Sequence, residues 1–490
     1  MNIIKAYERA LCSTLDAGDD QSSYESSLVD LLQQVEEVLV APVPGLSDVI
    51  ERLTILLKGD HCLSPRTKAV VTQGAANLAC SHCASIDPCS IARLVQAILG
   101  LSPTGPLQFS ELDSASVTAT ALERLSESCA SALATEHQRE FLEGAIHCVH
   151  TLARSFTAPD AWHTKLCTCF LSCIGHLIPL AGQQPCIQQN CAALVDSLRA
   201  LWAFGLENRL QRTSSEASRL SSSSETAATG SKYVPPWRRT ANTNKPRSTR
   251  PASSATADSS HSDSDTSNAP SRDSSCKVRI LSLRALTLSL KHHPAALHQV
   301  WDRLLPHSTQ VSPPRPQSGG RTPPSSLLGV LLNDPSAAVR ASAATALHTM
   351  MTGTKNVGFM HVARSSSAVS ASASVRRPTR PRAFMPLSES MAAMLMTAHS
   401  AFAQSLQNEV AGEVLLEALK ASTSLLQHTP YHSMQRGAAQ ELLQALVDSW
   451  NNSVSAQEES ESKVRHHTSW FMLYISVCKH AVEASTRMLL

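Results

Sequence analysis

The sequence predicts an all-α fold, an α-solenoid of paired helical repeats interrupted by disordered Ser/Pro-rich insertions. Three observations carry that prediction. The stretch from Pro324 to Thr352 reads as two short helices joined at Asn333-Asp334-Pro335. Leu327, Leu328, Leu331 and Leu332 make one apolar stripe, and Val339, Ala343, Ala346, Leu347 and Met350 make another. The unit then recurs: Asp273-x4-Val278-Arg279-x5-Ala285-Leu286 matches Asp334-x4-Val339-Arg340-x5-Ala346-Leu347 offset for offset. Finally, aromatic content is 4%, only 18 residues of 490 are Gly, and few β-branched runs alternate with period two, the composition of helices rather than sheets. Neither helix of such a couple buries its face alone, so the couples must stack on neighbours.

Taken in order, residues 1–212 read as a first helical block. Leu28, Leu31, Leu32, Val35, Val38 and Leu39 give an amphipathic helix ended by Pro42 and Pro44. Further helices run over Leu46–Leu57, from Pro65 to about Cys83, and over Ile91–Leu99. After a break at 102–106 come Val117–Leu133, Glu136–Phe156, Asp160–Ile178 and Ile187–Leu210. Residues 213–275 lose their large aliphatic side chains to Ser, Thr, Ala, Asn and Pro, so they cannot bury enough surface to offset ordering entropy. A second helical block follows over 276–450, with disordered inserts expected near 308–324 and 354–384. It includes helices at Ser388–Leu406, Glu409–Gln427 and Gln440–Trp450. Residues 451–490 read as an atypical helical tail, bulky at Trp470, Phe471, Met472 and Tyr474. The chain stops on the apolar Met488-Leu489-Leu490 where a solenoid would carry a polar cap, which suggests a truncated or spliced form of a longer protein.

The Asp-to-(Val-Arg) spacing with small residues in the second helix resembles a HEAT repeat. The order of the surviving pieces is similar to the HEAT repeat-containing protein 6 family, over the segment carrying that family's helical domain of unknown function. The residues that carry the resemblance are Lys277-Val278-Arg279, Leu327-Leu328-x2-Leu331-Leu332-x-Asp334-Pro335-x3-Val339-Arg340, Arg382-Ala383-Phe384-Met385-Pro386 and Thr429-Pro430-Tyr431. The resemblance implies an armadillo-like helical fold, a protein-interaction role and no catalytic centre. It also implies a ladder between adjacent repeats, in which Asp273, Arg279, Asp334 and Arg340 are structural residues.

Net charge is +2 with His neutral, too small for whole-chain steering towards nucleic acid. Of 14 Cys, all but Cys276 and Cys478 lie at or before Cys191, mostly on apolar helical stripes, as small buried hydrophobes in a reducing compartment. Cys80-x2-Cys83 with Cys89 is the best zinc candidate, but its nearest further ligands, His61 and Cys62, precede it across a helix. Cys169, Cys173 and His176, or Cys148 and His150, lack the Gly-rich turn and third orienting group of a nucleophilic site. His292-His293 and His466-His467 read as solvated helix ends. No P-loop, GxGxxG, HExxH or GxSxG occurs, so neither enzyme nor cofactor nor metal is expected. No span and no leader is read, giving an intracellular expectation, cytoplasmic or nuclear.

Three short motifs remain. Tyr233-Val234-Pro235-Pro236-Trp237 suits a polyproline-type ligand for a partner protein. The serines among Ser259–Asp265 suit phosphorylation. Arg376, Arg377, Arg380 and Arg382 form a basic patch for nucleic-acid phosphates, an acidic partner or an import receptor. The expected function is therefore a scaffold that binds other proteins, with a nucleic-acid or nuclear-transport role as the alternative.

Overall fold

A computed structural model of the chain describes residues 46–58, 65–100, 112–155, 161–180, 185–206, 272–306, 326–363, 387–434, 437 and 439–457. Among these residues the fold is all-α, with no strand. The helices are α1 (Leu46–Lys58), α2 (Pro65–Ser81), α3 (Pro88–Gly100), α4 (Leu112–Ser128), α5 (Thr135–Ser155), α6 (Ala161–Leu177), α7 (Pro185–Trp202) and α8 (Arg272–His292). Then come the short α9 (Pro294–Leu297) and α10 (Trp301–Leu304), followed by α11 (Leu327–Asn333), α12 (Ala337–Thr352), α13 (Thr354–Met360), α14 (Leu387–Asn408), α15 (Gly412–His428) and α16 (Gln440–Gln457).

The helices stack in two layers. One runs α2, α4, α6, α8, α12, α15, each packed on the next. In the other, α1, α3, α5 and α7 follow one another, and so do α11, α14 and α16. The reason is visible in the side chains. Val339, Ala343, Ala346, Leu347 and Met350 of α12 are all fully buried, and small residues among them let α8 and α15 approach from both sides. Gly144 does the same between α3 and α5, since a Cβ there would lie 2.8 Å from Leu99 Cδ1.

The Ser-rich stretch between α7 and α8 interrupts a helix couple, for α8 packs on both α6 and α7. Its two ends meet. Gly205 has φ +75° and a Cβ on it would come 2.7 Å from Ser275 Cβ, so only glycine fits that turn.

Several boundaries differ from expectation. Helix α8 begins at Arg272, four residues before the expected end of the linker. The insert expected from 354 starts later, because Thr354–Met360 is helical and Asn356 and Met360 are fully buried. Phe359 holds this helix, stacking on His298 (centroids 4.2 Å, planes 5° apart) and meeting Trp301 edge-on at 5.2 Å. Helix α15 starts at Gly412, not Glu409, and Val410 is 72% exposed instead of lying on the apolar stripe. His293 is no solvated helix end: it is buried, with Nε2 3.3 Å from the Ile178 carbonyl. The helix expected at Leu28–Leu39, the insert near 308–324 and His466-His467 lie outside the described residues.

Candidate functional site

The arrangement that repeats in the fold is a pair of arginine–carboxylate rungs between consecutive helices of one layer. In the first, Arg279 of α8 reaches Asp334, which sits between α11 and α12. Nη2 donates to Oδ1 at 3.3 Å, while Nε and Oδ2 are 3.0 Å apart but not aligned for a hydrogen bond. Nη1 donates to the Phe204 carbonyl at 2.9 Å, just past the end of α7. Both side chains are essentially removed from water, at 3% and 0% exposure.

The second rung repeats the wiring one helix further on. Arg340 of α12 makes a bidentate pair with Glu409, Nε to Oε2 at 2.6 Å and Nη2 to Oε1 at 2.9 Å. Its Nη1 donates to the Asp334 carbonyl at 2.8 Å, just past the end of α11. Each acid also accepts hydrogen bonds from backbone amides of the turn that leads into the helix following it. Asp334 Oδ1 accepts from Ser336 N at 2.8 Å, and Glu409 Oε1 accepts from Val410 N and Ala411 N at 3.0 and 2.9 Å. Thus one carboxylate satisfies helix-end amides and a guanidinium from the neighbouring couple at once. Asp334 does this from a turn ahead of the helix: α12 itself begins at Ala337, so Pro335 is not its first residue.

Burial pulls both acids towards the neutral form, with different outcomes. At Asp334 burial dominates and raises its pKa despite Arg279 beside it. At Glu409 burial also pulls upward, but the Arg340 hydrogen bonds and the Ala411 and Val410 amides together outweigh it and hold its pKa below the ordinary range.

Of the four residues expected to form the ladder, the structure brings Arg279, Asp334 and Arg340 together. Asp273 lies in the first turn of α8, and its side chain is outside the described residues. The carboxylate facing Arg340 belongs to Glu409, which is not among those four and which the sequence places at the start of a helix. A signal was present. Glu409-x4-Val414 repeats the Asp334-x4-Val339 offset, and Leu415 stands where Arg340 would fall, so no third arginine continues the ladder from α15.

Cys148, Cys167, Cys169, Cys173 and Cys191 are buried. Burial pushes Cys191 up to about 11 and raises Cys167 and Cys173 as well. His176 Nδ1 lies 3.1 Å from Ser126 Oγ on α4, and His150 Nδ1 lies 2.8 Å from Ser197 Oγ on α7, so both imidazoles tie neighbouring helices. Cys80 and Cys83 are half-buried, Cys89 is exposed, and Cys129 Sγ points at the Ala79 carbonyl at 3.5 Å. Among the described residues no group of three or more His, Cys, Asp or Glu is placed to hold a metal ion, and no helix is long and apolar enough to cross a membrane. Tyr233, Pro235, Pro236 and Trp237, the serines of 259–264, and Arg376, Arg377, Arg380 and Arg382 lie outside the described residues.

Comparison with known proteins falls on the part of the chain that holds both rungs. Residues 277–476 match a family described as Domain of unknown function (DUF4042). No curated protein matches the chain.

Proposed function

We propose that this chain is a non-enzymatic scaffold, a HEAT-type α-solenoid that holds other proteins along the surface of its α2-α4-α6-α8-α12-α15 layer. The single observation behind this reading is the repeated rung. Two arginines at equivalent places in consecutive helices each bridge to an acid one couple further on and to a backbone carbonyl of their own couple. Such wiring fixes the register of helix on helix, which a packed globule does not need but an open array does. An open array in turn offers a long surface on which partner segments dock through apolar anchors and rim charges.

The test is proximity labelling with the full chain as bait, followed by cross-linking of any recovered partner to purified protein. Cross-links that map to exposed residues of the α2-α4-α6-α8-α12-α15 layer, and that disappear in Arg279→Ala/Arg340→Ala, support the scaffold. Cross-links confined to residues outside the helical array, or surviving loss of both rungs, overturn it.

A further inference from the structure

We infer that the surface of α8, α12 and α15 is a trough that receives one α-helix of a partner protein, with a row of carboxylates on the partner's edge facing α8. This rests on the scaffold reading and names the partner's chemistry.

The repeat register shows how the trough is built. On α8 the exposed stripe reads Lys277, Leu281, Arg284, Leu288, Lys291, alternating steps of four and three residues along one face. The three cations are exposed and the two leucines half-buried between them. Shifting by the offset that superposes Asp273 on Asp334 lands on Ala338, Ser342, Thr345, Thr349 and Thr352 of α12. Five long side chains on one helix therefore face five short ones on the next. Shifting again from Asp334 to Glu409 lands on Glu413, Glu417, Lys420, Ser424 and Gln427 of α15. Contacts agree with that register: Thr345 Oγ1 donates to Glu417 Oε2 at 3.1 Å, and Ser424 Oγ lies 2.9 Å from His348 Nδ1. The result is a low floor along α12, a cationic wall on α8 and, on α15, a wall of mixed charge in which Lys420 pairs with Glu417.

The width selects the occupant. Two helix-to-helix spacings of about 9 Å each separate the walls, and a helix with its side chains is about 10 Å across. Successive cations of α8 are about 10 Å apart along its axis, seven residues at about 1.5 Å, which is the rise between heptad positions of a helix laid alongside.

Charge selects the chemistry. Neither α6 nor α12 contains an acidic residue, and the only one in α8 is Asp273 in its first turn. Lys165 of α6 adds to the same sign: ten residues back from Gly175, which touches Leu288, it is level with the start of the α8 stripe. On the other elements packed against α8, the charges are engaged. Asp196 of α7 pairs with Arg303 and Arg199, His176 bonds to Ser126, and Arg340 is taken by Glu409. Lys277, Arg284 and Lys291 face no carboxylate among the described side chains, whereas Lys420 on α15 and Arg93 on α3 sit on Glu417 and Glu51. A row of cations that meets no carboxylate among the described side chains, beside a floor shaped for a helix, fits a partner that brings the carboxylates.

The probe is a fluorescently labelled, Ala-based helical peptide with Glu at three heptad positions and Leu between them, titrated with the full chain by anisotropy. A peptide with Lys replacing each Glu is the control. Expected results are saturable binding of the Glu peptide, weakened at least tenfold by Lys277→Glu/Arg284→Glu/Lys291→Glu, and a preference of that variant for the Lys peptide. All three positions are exposed, so the helical circular dichroism is retained; Arg284→Ser supplies a milder variant with a smaller loss. Equal binding of both peptides, or of the Glu peptide to wild type and variant, overturns the trough. So does displacement of the Glu peptide by a poly-uridylate strand that binds more tightly through the same three cations. If partner cross-links persist on α2, α4 or α6 while the peptide fails, this inference falls and the scaffold reading stands.

Discussion

Arg279 and Arg340 do the same job in different surroundings, and the difference is measurable. Removing Arg279 leaves the buried Asp334 carboxylate hydrogen-bonded to the Ser336 amide, with Arg340 as the remaining nearby cation. Breaking a buried pair in this way costs about 3–5 kcal/mol. Glu409 keeps two backbone amides when Arg340 is lost and is slightly more open to water, so Arg340→Ala should cost less, about 2 kcal/mol. Urea midpoints of the two variants should therefore fall in that order; equal midpoints would separate the rungs from stability. A second residue-scale outcome concerns pH. His399 is buried and desolvated, its Nδ1 2.7 Å from the Leu395 carbonyl and its Nε2 2.7 Å from the Tyr431 hydroxyl, and burial lowers its pKa to about 4. The unfolded chain thus binds a proton that the fold refuses. Stability should be complete above about pH 6.5 and decline as pH falls from there towards about 4. His399→Gln, which keeps a donor and an acceptor, should remove that decline from a plot of urea midpoint against pH.

At the scale of elements, α13 shows how contacts remote in sequence override composition. Thr354–Met360 follows Gly353 and precedes a Ser/Arg-rich stretch, and nothing in its own residues demands order. Phe359 on His298 and Trp301 supplies the demand, from a segment that ends the preceding couple. Phe359→Ala should cost about 2–3 kcal/mol, and amide exchange in 354–360 should rise before that of α12. Unchanged exchange there would assign the ordering of α13 to Asn356 and Met360 alone. The long helices were readable because their apolar residues recur with a single period, and α5, α6 and α14 lie within a few residues of expectation. Their ends were less readable: Glu409 looks like a helix start by composition, and becomes a bridging acid only because Arg340 reaches it from sixty-nine positions away.

Over the whole molecule, the Ser-rich stretch 207–271 enters and leaves the fold at one place, where Gly205 meets Ser275. On the composition-based expectation that this stretch takes no fixed structure, its length costs loop-closure entropy that grows by roughly 0.6 kcal/mol per doubling. Replacing residues 213–268 with a short Gly/Ser linker should retain the fold and raise stability by at most about 2 kcal/mol. Loss of helicity on that replacement would mean the stretch is needed to bring α8 onto α6 and α7. The two helical blocks separated by this stretch in the sequence share one contiguous core in the structure.

The sequence by itself determined the helices and which face of each is apolar, because 3.6-residue periodicity is a local property that every helix carries whether or not its neighbours are known. It also picked out Arg279, Asp334 and Arg340, since a repeated offset is visible along the chain. Only the tertiary structure decided which acid each arginine meets, where α8 docks, and that the cations of α8 border the short side chains of α12. Those outcomes depend on distances between residues separated by tens to more than a hundred positions. Such distances are set by how helices stack, and no local pattern encodes them.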